Sequence, residues 1–472
     1  MFSLRRRIGA LFVMLSLFSL LVFSPSAFAL SWNTHVIEAQ PNPCWTTLAV
    51  GEWGTAVLYA DGVSTGLRLA WGGPDAWEYE SLAPAGASGS WVRCCTLESG
   101  DLLAAWYHTP LGHSLMTAVG RPGEEWNVAS REFLGVLPDK REMGLSLKVG
   151  PFGYPWVACV MCSSTTKKGA LKLVFPTVSS PDVSMDLGTD PSMRAVGASC
   201  DIVIGDDGTG HLAYFRESPV VIRYRMWSPG QAVQRKDDAT MGSEATEGVS
   251  LLLSDGGAVT AFFRNNLGNL CCKVFSNDLW SASIVLDAGA KTGGFATSLR
   301  DSHGKTFVFY SGGGEGGVRL LTDRTGEWKI HVVDPVSILG SRCAATLSGD
   351  AVLVSYWDAF SKAVKLLRVE NTPPSIPSGP GPADGSELVA APGLLSWNPC
   401  SDDENDGVTY SVYASDKRWK VDALEEDALV LSGEATLSAD VPEALRASSP
   451  VYWRVVATDS YGSSREGAPW SY

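Results

Sequence analysis

Polar side chains follow the second strand of several predicted β-units, and their types could do chemistry. They are Asp61, His108, Arg216, Glu217, Arg264 with Asn265, and Asp358. If the repeated units form a ring, these carboxylates, the histidine and the arginines would surround the opening at one of its faces, called the mouth here. They could bind a sugar or an anionic ligand there, with Tyr107, Phe263 or Trp357 stacking against it. Asp61 and Asp358 fall in the first and last units, and two carboxylates about 5–9 Å apart would suit glycoside hydrolysis. The alternative is that these are ordinary polar loop residues.

A second candidate is an acidic turn near the C-terminus that could hold Ca²⁺. Its oxygen ligands would come from Asp402, Glu404 and Asp406, with Asp459 as an extra carboxylate. Calcium takes roughly 6–8 oxygens, and only three or four can be named here. A solvated acidic turn without metal is therefore the alternative, and no other cofactor is evident from the sequence.

The ten cysteines offer a third kind of chemistry. Cys159 and Cys162 have a Cys-x-x-Cys spacing, but they lie in a predicted strand with no second pair, which argues against a zinc or redox site. Four cysteines recur just ahead of the first-strand turn of their units, namely Cys44, Cys95, Cys200 and Cys343. A Cys44–Cys343 or Cys44–Cys95 bridge is possible in an oxidising compartment.

These residues are carried by a unit that repeats seven times, with a period of roughly 50 residues that is typical of four-stranded propeller blades. Each second strand begins at a glycine and, in the general pattern, ends on aromatic residues. These strands fall at 54–59, 100–107, 153–159, 210–215, 257–263, 304–310 and 349–357. Several fourth strands begin with tryptophan, namely Trp77, Trp126, Trp280 and Trp328.

The seventh unit stops before its fourth strand, and the missing strand lies at the other end of the chain. Residues 32–38 (WNTHVIE) match residues 328–334 (WKIHVVD) nearly position by position. We therefore expect residues 32–38 to pair with 364–369, since a ring closed in this way has no unpaired blade at its join. The pattern resembles seven-bladed β-propellers closed by a split blade. The fold class is accordingly all-β, with a propeller over residues 30–370.

A different module follows the propeller. Residues 371–382 are rich in proline and glycine and predict an extended linker. Residues 383–472 contain alternating strands at 408–413 and 451–457 and an early core Trp397. This part resembles a fibronectin type III domain of the bacterial extracellular kind, an immunoglobulin-like β-sandwich. The resemblance implies a spacer or adhesive module, although fold alone assigns no function.

Two hairpins are remotely similar to those of sialidases, which carry a Ser-x-Asp-x-Gly-x-Thr-Trp motif. The nearest segments are 298–307, with Asp301 and Gly304, and 205–208 (GDDG). Neither keeps the spacing of the motif. Aspartate and glycine also suit the backbone of a tight turn, so we interpret both segments as turn chemistry.

The N-terminus predicts export. Arg5, Arg6 and Arg7 precede an apolar run, and Ala27-Phe28-Ala29 provides an A-x-A cleavage site, which together are typical of a signal peptide over residues 1–29. Cleavage removes three arginines and no acid, so the net charge changes from −14 to −17. Such an acidic chain is a poor nucleic-acid binder. No later stretch is apolar enough to span a membrane. We expect a periplasmic, cell-surface or secreted protein.

The functional hypothesis is an extracytoplasmic binding or interaction protein. Its propeller would present a ligand- or partner-binding face to a carbohydrate or a cell-envelope protein, with the C-terminal domain as a spacer. The alternative is a secreted carbohydrate-active enzyme, a glycoside hydrolase or lyase, with its site at the propeller mouth. Convergent buried carboxylates at the mouth would favour the enzyme.

Overall fold

A computed structural model describes most of the chain after the predicted signal peptide. The described residues are 30–40, 42, 44–60, 66–73, 76–83, 91–108, 114–133, 144–162, 169–175, 183–189, 196–217, 220–228, 234–235, 245–289, 292–313, 316–324, 326–339, 342–387, 393–402, 407–448 and 450–472. Within them, no helix is long and apolar enough to cross a bilayer.

The described residues between 30 and 371 form seven antiparallel sheets, numbered here along the chain. Sheet 1 contains β2 (Trp45–Gly51), β3 (Gly54–Ala60), β4 (Leu67–Gly73) and β5 (Ala76–Ala83). Sheet 2 contains β6 (Arg93–Thr96), β7 (Leu102–His108), β8 (Ser114–Gly120) and β9 (Asn127–Phe133). Sheet 3 contains β10 (Leu145–Val149), β11 (Pro155–Cys162), β12 (Gly169–Phe175) and β13 (Val183–Thr189), with a 3₁₀ turn at Pro151–Gly153.

The remaining sheets follow the same plan. Sheet 4 contains β14 (Val196–Ile204), β15 (Gly210–Glu217), β16 (Val220–Trp227) and β17 (Gln234–Arg235). Sheet 5 contains β18 (Ala245–Leu253), β19 (Val259–Asn265), β20 (Leu270–Ser276), β21 (Leu279–Trp280) and β22 (Ile284–Asp287). Sheet 6 contains β23 (Gly294–Arg300), β24 (Thr306–Ser311), β25 (Val318–Thr322) and β26 (Lys329–Asp334). Sheet 7 contains β27 (Ala344–Ser348), β28 (Ala351–Asp358), β29 (Ala363–Asn371) and β1 (Leu30–Ala39).

The N-terminal strand closes the last sheet. β1 runs antiparallel to β29, with Trp32 opposite Val369 and Glu38 opposite Val364. The sequence match between the two ends of the chain predicted this pairing, and the structure confirms it. The first strand of each sheet also contacts the first strand of the next, and β27 contacts β2, so that the cycle closes. The all-β class and the β-propeller architecture predicted from the repeats are thus confirmed.

Neighbouring sheets are joined at their first strands by one repeated hydrogen bond. A backbone N–H of one first strand donates to a side-chain oxygen of the preceding first strand. The pairs are Cys94 to Thr47 (3.2 Å), Ile202 to Ser146 (3.3 Å), Leu251 to Asp201 (2.9 Å) and Ser298 to Ser250 (3.0 Å). These bonds pair backbone N–H groups that have no partner within their own sheet, as buried N–H groups require.

Arg342 links the seventh sheet to the fourth and fifth. It lies just before β27, and its guanidinium donates to the carbonyls of Cys200 (3.1 Å) and Val249 (3.0 Å). It also lies 3.4 Å from the carboxylate of Asp201, and both side chains are about nine-tenths buried. Burial alone would raise the pKa of Asp201, but the charge of Arg342 and hydrogen bonds hold it below its usual value. Sheets on opposite sides of the ring therefore share one buried charge pair.

A second repeated contact joins the sheets farther out. An acid near the end of a fourth strand accepts a hydrogen bond from a tyrosine in the second strand of the next sheet and pairs with a cation in that sheet's third strand. The three sets are Glu38 with Tyr59 and Arg68, Asp287 with Tyr310 and Arg319, and Asp334 with Tyr356 and Lys365. Burial first, and then the neighbouring acid, raises the pKa of each tyrosine, so each hydroxyl remains a donor.

The third set is the most buried and contains one more acid. Lys365 Nζ lies 2.8 Å from Asp358 and 3.3 Å from Asp334, and the three side chains are 9%, 0% and 6% exposed respectively. Ser337 accepts a further hydrogen bond from Lys365 at 2.6 Å. Burial would raise the pKa of Asp358, but the hydrogen bonds from Lys365 and Ser361 lower it well below the usual range. A single lysine thus pairs with two buried carboxylates between sheets 6 and 7.

The C-terminal unit consists of two sheets around its own core. One contains β30 (Leu394–Ser396) and β33 (Ser438–Asp440), and the other contains β31 (Thr409–Ser415), β32 (Leu429–Glu434), β34 (Tyr452–Thr458), β35 (Ser464–Glu466) and β36 (Trp470–Ser471). A short helix α1 (Arg418–Asp422) and 3₁₀ turns at Glu426–Ala428 and Glu443–Leu445 connect strands. Trp397, Val412, Trp453 and Trp470 lie in the shared core. The fibronectin type III assignment stays a prediction.

The predicted linker lies against the C-terminal unit and forms backbone hydrogen bonds with it. Ser375 N–H donates to the Ser401 carbonyl, and Gly381 exchanges backbone hydrogen bonds with Ser396. The proline-rich composition keeps the segment extended, while its non-proline residues still supply the donors for these contacts.

A polar and aromatic junction fixes the two units to each other. Asn371, at the end of β29, donates to Asp459 (2.7 Å) and to Ser463 (2.8 Å). The ring centroid of Tyr461 lies 3.9 Å from the guanidinium carbon of Arg324 and 4.1 Å from the ring centroid of His303. His303 is in the loop between β23 and β24, and Arg324 is in the loop between β25 and β26. These contacts orient the C-terminal unit relative to the propeller.

The structure contains neither of the predicted disulfides. Cys95 and Cys343 are both thiols, so no bridge from Cys44 to either is formed. Burial raises the pKa of Cys343 to about 12, and its thiol donates to the Phe295 carbonyl at 3.4 Å. The recurrent cysteines thus act as small core residues between sheets.

Candidate functional site

A cleft of about 980 Å³ opens between sheets 4 and 5. Its walls come from the β14–β15 turn, the end of β16, the β18–β19 turn and the β20–β21 turn. The lining residues are Gly205, Asp206, Asp207, Thr209, His211, Met226, Ser228, Leu253, Ser254, Asp255, Gly257, Phe275, Ser276, Asn277 and Asp278. The size matches small-molecule sites, which run from about 300 to 1,000 Å³. We refer to it as the His211 cleft.

Turn chemistry places the first carboxylates. Asp207 accepts hydrogen bonds from the Thr209 N–H and the Thr209 hydroxyl, both at 2.8 Å. Gly208 has a φ of +77°, which closes the tight turn that a side chain at this position would strain. The Thr209 hydrogen bonds hold the pKa of Asp207 below its usual value. Asp207 therefore stays ionised and acts as an acceptor.

A two-residue hairpin turn places the carboxylate on the opposite wall. Asn277 and Asp278 have φ values of +50° and +64°, the backbone that a type I′ turn requires of both central residues. Asparagine and aspartate tolerate that conformation better than most side chains. Asp278 is consequently held at the exposed tip between β20 and β21.

The base of the cleft is a histidine–tyrosine pair. His211 is 6% exposed, and its Nδ1 lies 2.6 Å from the Tyr224 hydroxyl. The rings of Phe275 and Trp280 pack against Tyr224 with centroids 4.9 Å away. Burial lowers the pKa of His211 to about 4, although the charge of Asp207 opposes the shift. The imidazole is therefore neutral at pH 7.

Two negative charges act on this pair. Burial and then the charge of Asp278 raise the pKa of Tyr224, so Asp278 acts on the pair from one side and Asp207 from the other. Among the described residues that line the cleft, none is a lysine or an arginine. Within the described ranges, no three His, Cys, Asp or Glu side chains converge closely enough to hold a metal ion. The arrangement can accept and donate hydrogen bonds and can attract a positive group.

His211 should make folding stability sensitive to acid. Its pKa falls from 6.5 in the unfolded chain to about 4 in the folded protein. Below pH 6.5 the unfolded chain takes up a proton that the folded state resists, so stability present above that pH is lost as pH falls toward 4. We expect this loss to reach up to ~3 kcal/mol, from 1.36 kcal/mol per pKa unit. Urea denaturation of the wild type and His211→Gln at several pH values measures it. Stability curves that run parallel between pH 7 and 4 would contradict the prediction.

Most residues predicted from the sequence lie at the other ends of the strands. Arg264 is near the end of β19, and the cleft lies beside the turn that begins this strand. Arg216 and Glu217 end β15 in the same way, and only their backbone is described. The predicted mouth and the observed cleft are therefore on opposite faces of the ring.

The other predicted mouth residues are not brought together by the described part of the chain. Asp358 is fully buried, and its Oδ1 accepts hydrogen bonds from the N–H groups of Ile338 (2.9 Å) and Phe360 (3.0 Å). His108 is partly buried at the end of β7. Asp61 lies outside the described residues. The Asp61–Asp358 pair therefore stays a prediction, with Asp358 committed to loop and lysine contacts.

The possible calcium site is only partly described. Asp459 is 4% exposed and accepts N–H hydrogen bonds from Tyr461 (2.8 Å) and Ser463 (3.0 Å), besides the bond from Asn371. Asp402 is described, whereas Glu404 and Asp406 lie outside the described residues. The calcium site stays a prediction.

From the sequence alone, the cleft residues are ordinary turn and strand residues. The 205–208 turn is interpreted as turn chemistry, which Asp207 does perform, and His211 is the second residue of β15 and belongs to no motif. Asp301 likewise accepts N–H hydrogen bonds from His303 (2.9 Å) and Lys305 (2.8 Å) in its own turn. The available signal was the alignment of acidic turns, Asp206-Asp207 and Asp255, at the same place in two consecutive repeats.

Solved structures with similar folds include proteins of several kinds. A protein of unknown function from Dyadobacter fermentans is 12% identical with a TM-score of 0.44, covering 73% of this chain and 100% of its own. The α-L-arabinanase of Penicillium chrysogenum is 14% identical with a TM-score of 0.42, covering 60% and 92%. The lectin of Aleuria aurantia is 14% identical with a TM-score of 0.43, covering 64% and 98%. No protein-family model and no curated protein sequence matches the chain. Similarity at this level gives no information about ligand or activity.

Proposed function

We propose that this protein is an exported carbohydrate-binding protein that takes up its ligand in the His211 cleft without catalysing a reaction. The seven sheets would be the blades of one propeller, and the C-terminal unit would be a fibronectin type III spacer. Export would depend on the predicted signal peptide.

The observation that carries the proposal is the protonation state of the cleft. Glycoside hydrolysis needs one carboxyl group with a raised pKa as general acid beside an ionised partner. Here hydrogen bonds lower the pKa of Asp207, and burial keeps His211 neutral. An ionised Asp207, a neutral imidazole and hydroxyl groups are suited to hydrogen-bonding a sugar rather than to protonating its leaving group.

The site also has the composition of a binding site. Leu253, Met226 and Phe275 supply apolar surface below, and Thr209 and Ser228 supply hydroxyl groups that lie 3.3 Å apart. Sites for small ligands typically combine apolar surface with a few placed polar groups.

Two assays on the same samples test this proposal. Neutral, acidic and amino oligosaccharides are screened by thermal shift, and each mixture is analysed chromatographically for cleavage products. We expect at least one oligosaccharide to raise the melting temperature of the wild type, a smaller rise for Asp207→Asn, and no products. Product release would replace the proposal with the carbohydrate-active enzyme. A melting temperature unaffected by every sugar would reject carbohydrate binding.

A further inference from the structure

Arg93 extends from sheet 2 to the axis of the ring. It is the first residue of β6, and the charges of Arg342 and Asp201 both act on its guanidinium. The thiol of Cys343, just before β27, also lies within range of its charge. Sheets 2, 4 and 7 are not neighbours in the ring, so their side chains can meet only near its centre. The guanidinium therefore faces the central channel.

The position of Arg93 has a different task in another sheet. Cys94 and Ile202 each donate a backbone N–H to a side chain of the preceding first strand. The residues before them, Arg93 and Asp201, therefore hold equivalent positions. Asp201 accepts a hydrogen bond from the Leu251 N–H of the next sheet at 2.9 Å. A guanidinium has only donors, so Arg93 cannot form this contact between sheets, and its presence at the axis has another reason.

Positive charge exceeds negative charge at the axis. Asp201 pairs with Arg342 at 3.4 Å, and the charge of Lys148 also acts on Asp201. Among the described residues, Arg93 and Lys148 form no ion pair. Burial and then the charge of Arg342 lower the pKa of Arg93 to about 10, so it stays charged at pH 7. A charge enclosed by protein is costly unless it has a counter-charge, which here must come from outside the described chain.

The guanidinium of Arg93 also has donors to spare. Of its five N–H groups, Nη1 donates to the Val92 carbonyl at 3.0 Å. The side chain is half-buried, so the remaining N–H groups can be reached from the channel. The channel is narrow at this level, because Arg342 spans it to the carbonyls of Cys200 and Val249. Such a space admits a small anion and excludes a polymer.

We propose that the central channel binds a small oxyanion, of the phosphate, sulfate or carboxylate class, against the guanidinium of Arg93. The planar fork of a guanidinium donates two parallel hydrogen bonds to such a group, which a spherical halide cannot accept. Arg342 and Lys148 add positive charge from sheets 7 and 3. None of these residues lines the His211 cleft, so this site is separate from the proposed carbohydrate site.

Isothermal titration at pH 7 in a zwitterionic buffer tests the site. Sodium phosphate, sulfate, acetate and chloride are added separately at millimolar concentrations, where general salt effects on stability are small. We expect phosphate and sulfate to bind about 10-fold tighter than chloride or more, because they accept two charge-assisted hydrogen bonds. Acetate measures how far a carboxylate alone meets the requirement.

Matched variants locate the anion. Arg93→Met should weaken phosphate binding about 10-fold or more, and Lys148→Met should weaken it about 2-fold to 5-fold. Arg121→Met is the control, since Arg121 belongs to the same sheet, is 41% exposed and pairs with Asp101. This variant should bind phosphate as the wild type does.

Thermal unfolding adds a readout that a structural role for Arg93 would not give. In buffer without these anions, Arg93→Met should melt no lower than the wild type, because it removes a charge that Arg342 repels. Millimolar phosphate should then raise the melting temperature of the wild type and leave that of Arg93→Met unchanged.

The outcomes separate the parts of the proposal. Equal affinities for chloride and the oxyanions would overturn the oxyanion class. Phosphate binding that is unchanged in both Arg93→Met and Lys148→Met would overturn its placement in the channel. No binding of any anion by the wild type would overturn the site itself. Each of these results leaves carbohydrate binding in the His211 cleft unaffected, because the titrations contain no sugar.

Discussion

Replacing Lys365 with methionine should lower the free energy of unfolding by about 3–5 kcal/mol, because it leaves two buried carboxylates without their cation. Lys365 lies 2.8 Å from Asp358 and 3.3 Å from Asp334, and neither acid is more than 6% exposed. Acid should partly restore the variant, since protonating either carboxylate removes the unpaired charge. Urea denaturation at pH 7 and pH 5 measures both effects.

Lys362→Met is the matched control for this prediction. Lys362 is exposed, lies three residues earlier, and contributes its backbone carbonyl to Gln40. Surface substitutions of this kind usually change stability by less than about 0.5 kcal/mol. Equal stabilities of the two variants would show that the buried cluster contributes nothing to folding.

Replacing Arg342 with methionine should cost about 2–4 kcal/mol, because a buried acid and two carbonyl groups lose their donor. The guanidinium forms an ion pair with Asp201 and donates hydrogen bonds to the carbonyls of Cys200 and Val249 across the ring. Because these contacts join sheets that are distant in sequence, the folding equilibrium of the whole ring should shift as one transition.

Arg368→Met provides the comparison. Arg368 is 39% exposed and pairs with Glu370 on its own strand, so its loss should cost at most about 1 kcal/mol. Guanidinium chloride denaturation of both variants, followed by tryptophan fluorescence, gives the difference. If the free energy of unfolding falls no further for Arg342→Met than for Arg368→Met, the contacts of Arg342 with sheets 4 and 5 do not hold the ring together.

The ring could be predicted because its information is repetitive. Residues 32–38 and 328–334 share their tryptophan, histidine and β-branched positions, and this likeness alone specified the pairing of β1 with β29. A hydrophobic period and a missing fourth strand can both be recognised in the sequence without knowledge of side-chain contacts.

The buried charge sets were missed although the sequence carries a signal for them. Tyrosine precedes a cation by nine residues in Tyr59/Arg68, Tyr310/Arg319 and Tyr356/Lys365. That spacing places the pair opposite each other across the hairpin of the second and third strands. Asp358 was interpreted as a mouth residue because an aspartate after a strand normally lies in an exposed loop.

The cleft could not be predicted, because its parts are individually ordinary. Asp207 and Asp278 occupy turns that favour aspartate on backbone grounds alone. They lie 71 residues apart, and only the twist and packing of sheets 4 and 5 bring their turns to one opening. His211 also gave no signal, since its burial depends on Tyr224 in the next strand.

Hydrogen–deuterium exchange with a saturating concentration of an oligosaccharide that raises the melting temperature tests most directly where this protein binds its ligand. We expect slower exchange in residues 205–211, 253–257 and 275–278, which surround the His211 cleft, and no change near Arg264 or Asp358 at the opposite ends of the strands. Protection confined to those opposite ends, with the cleft segments unchanged, would contradict it.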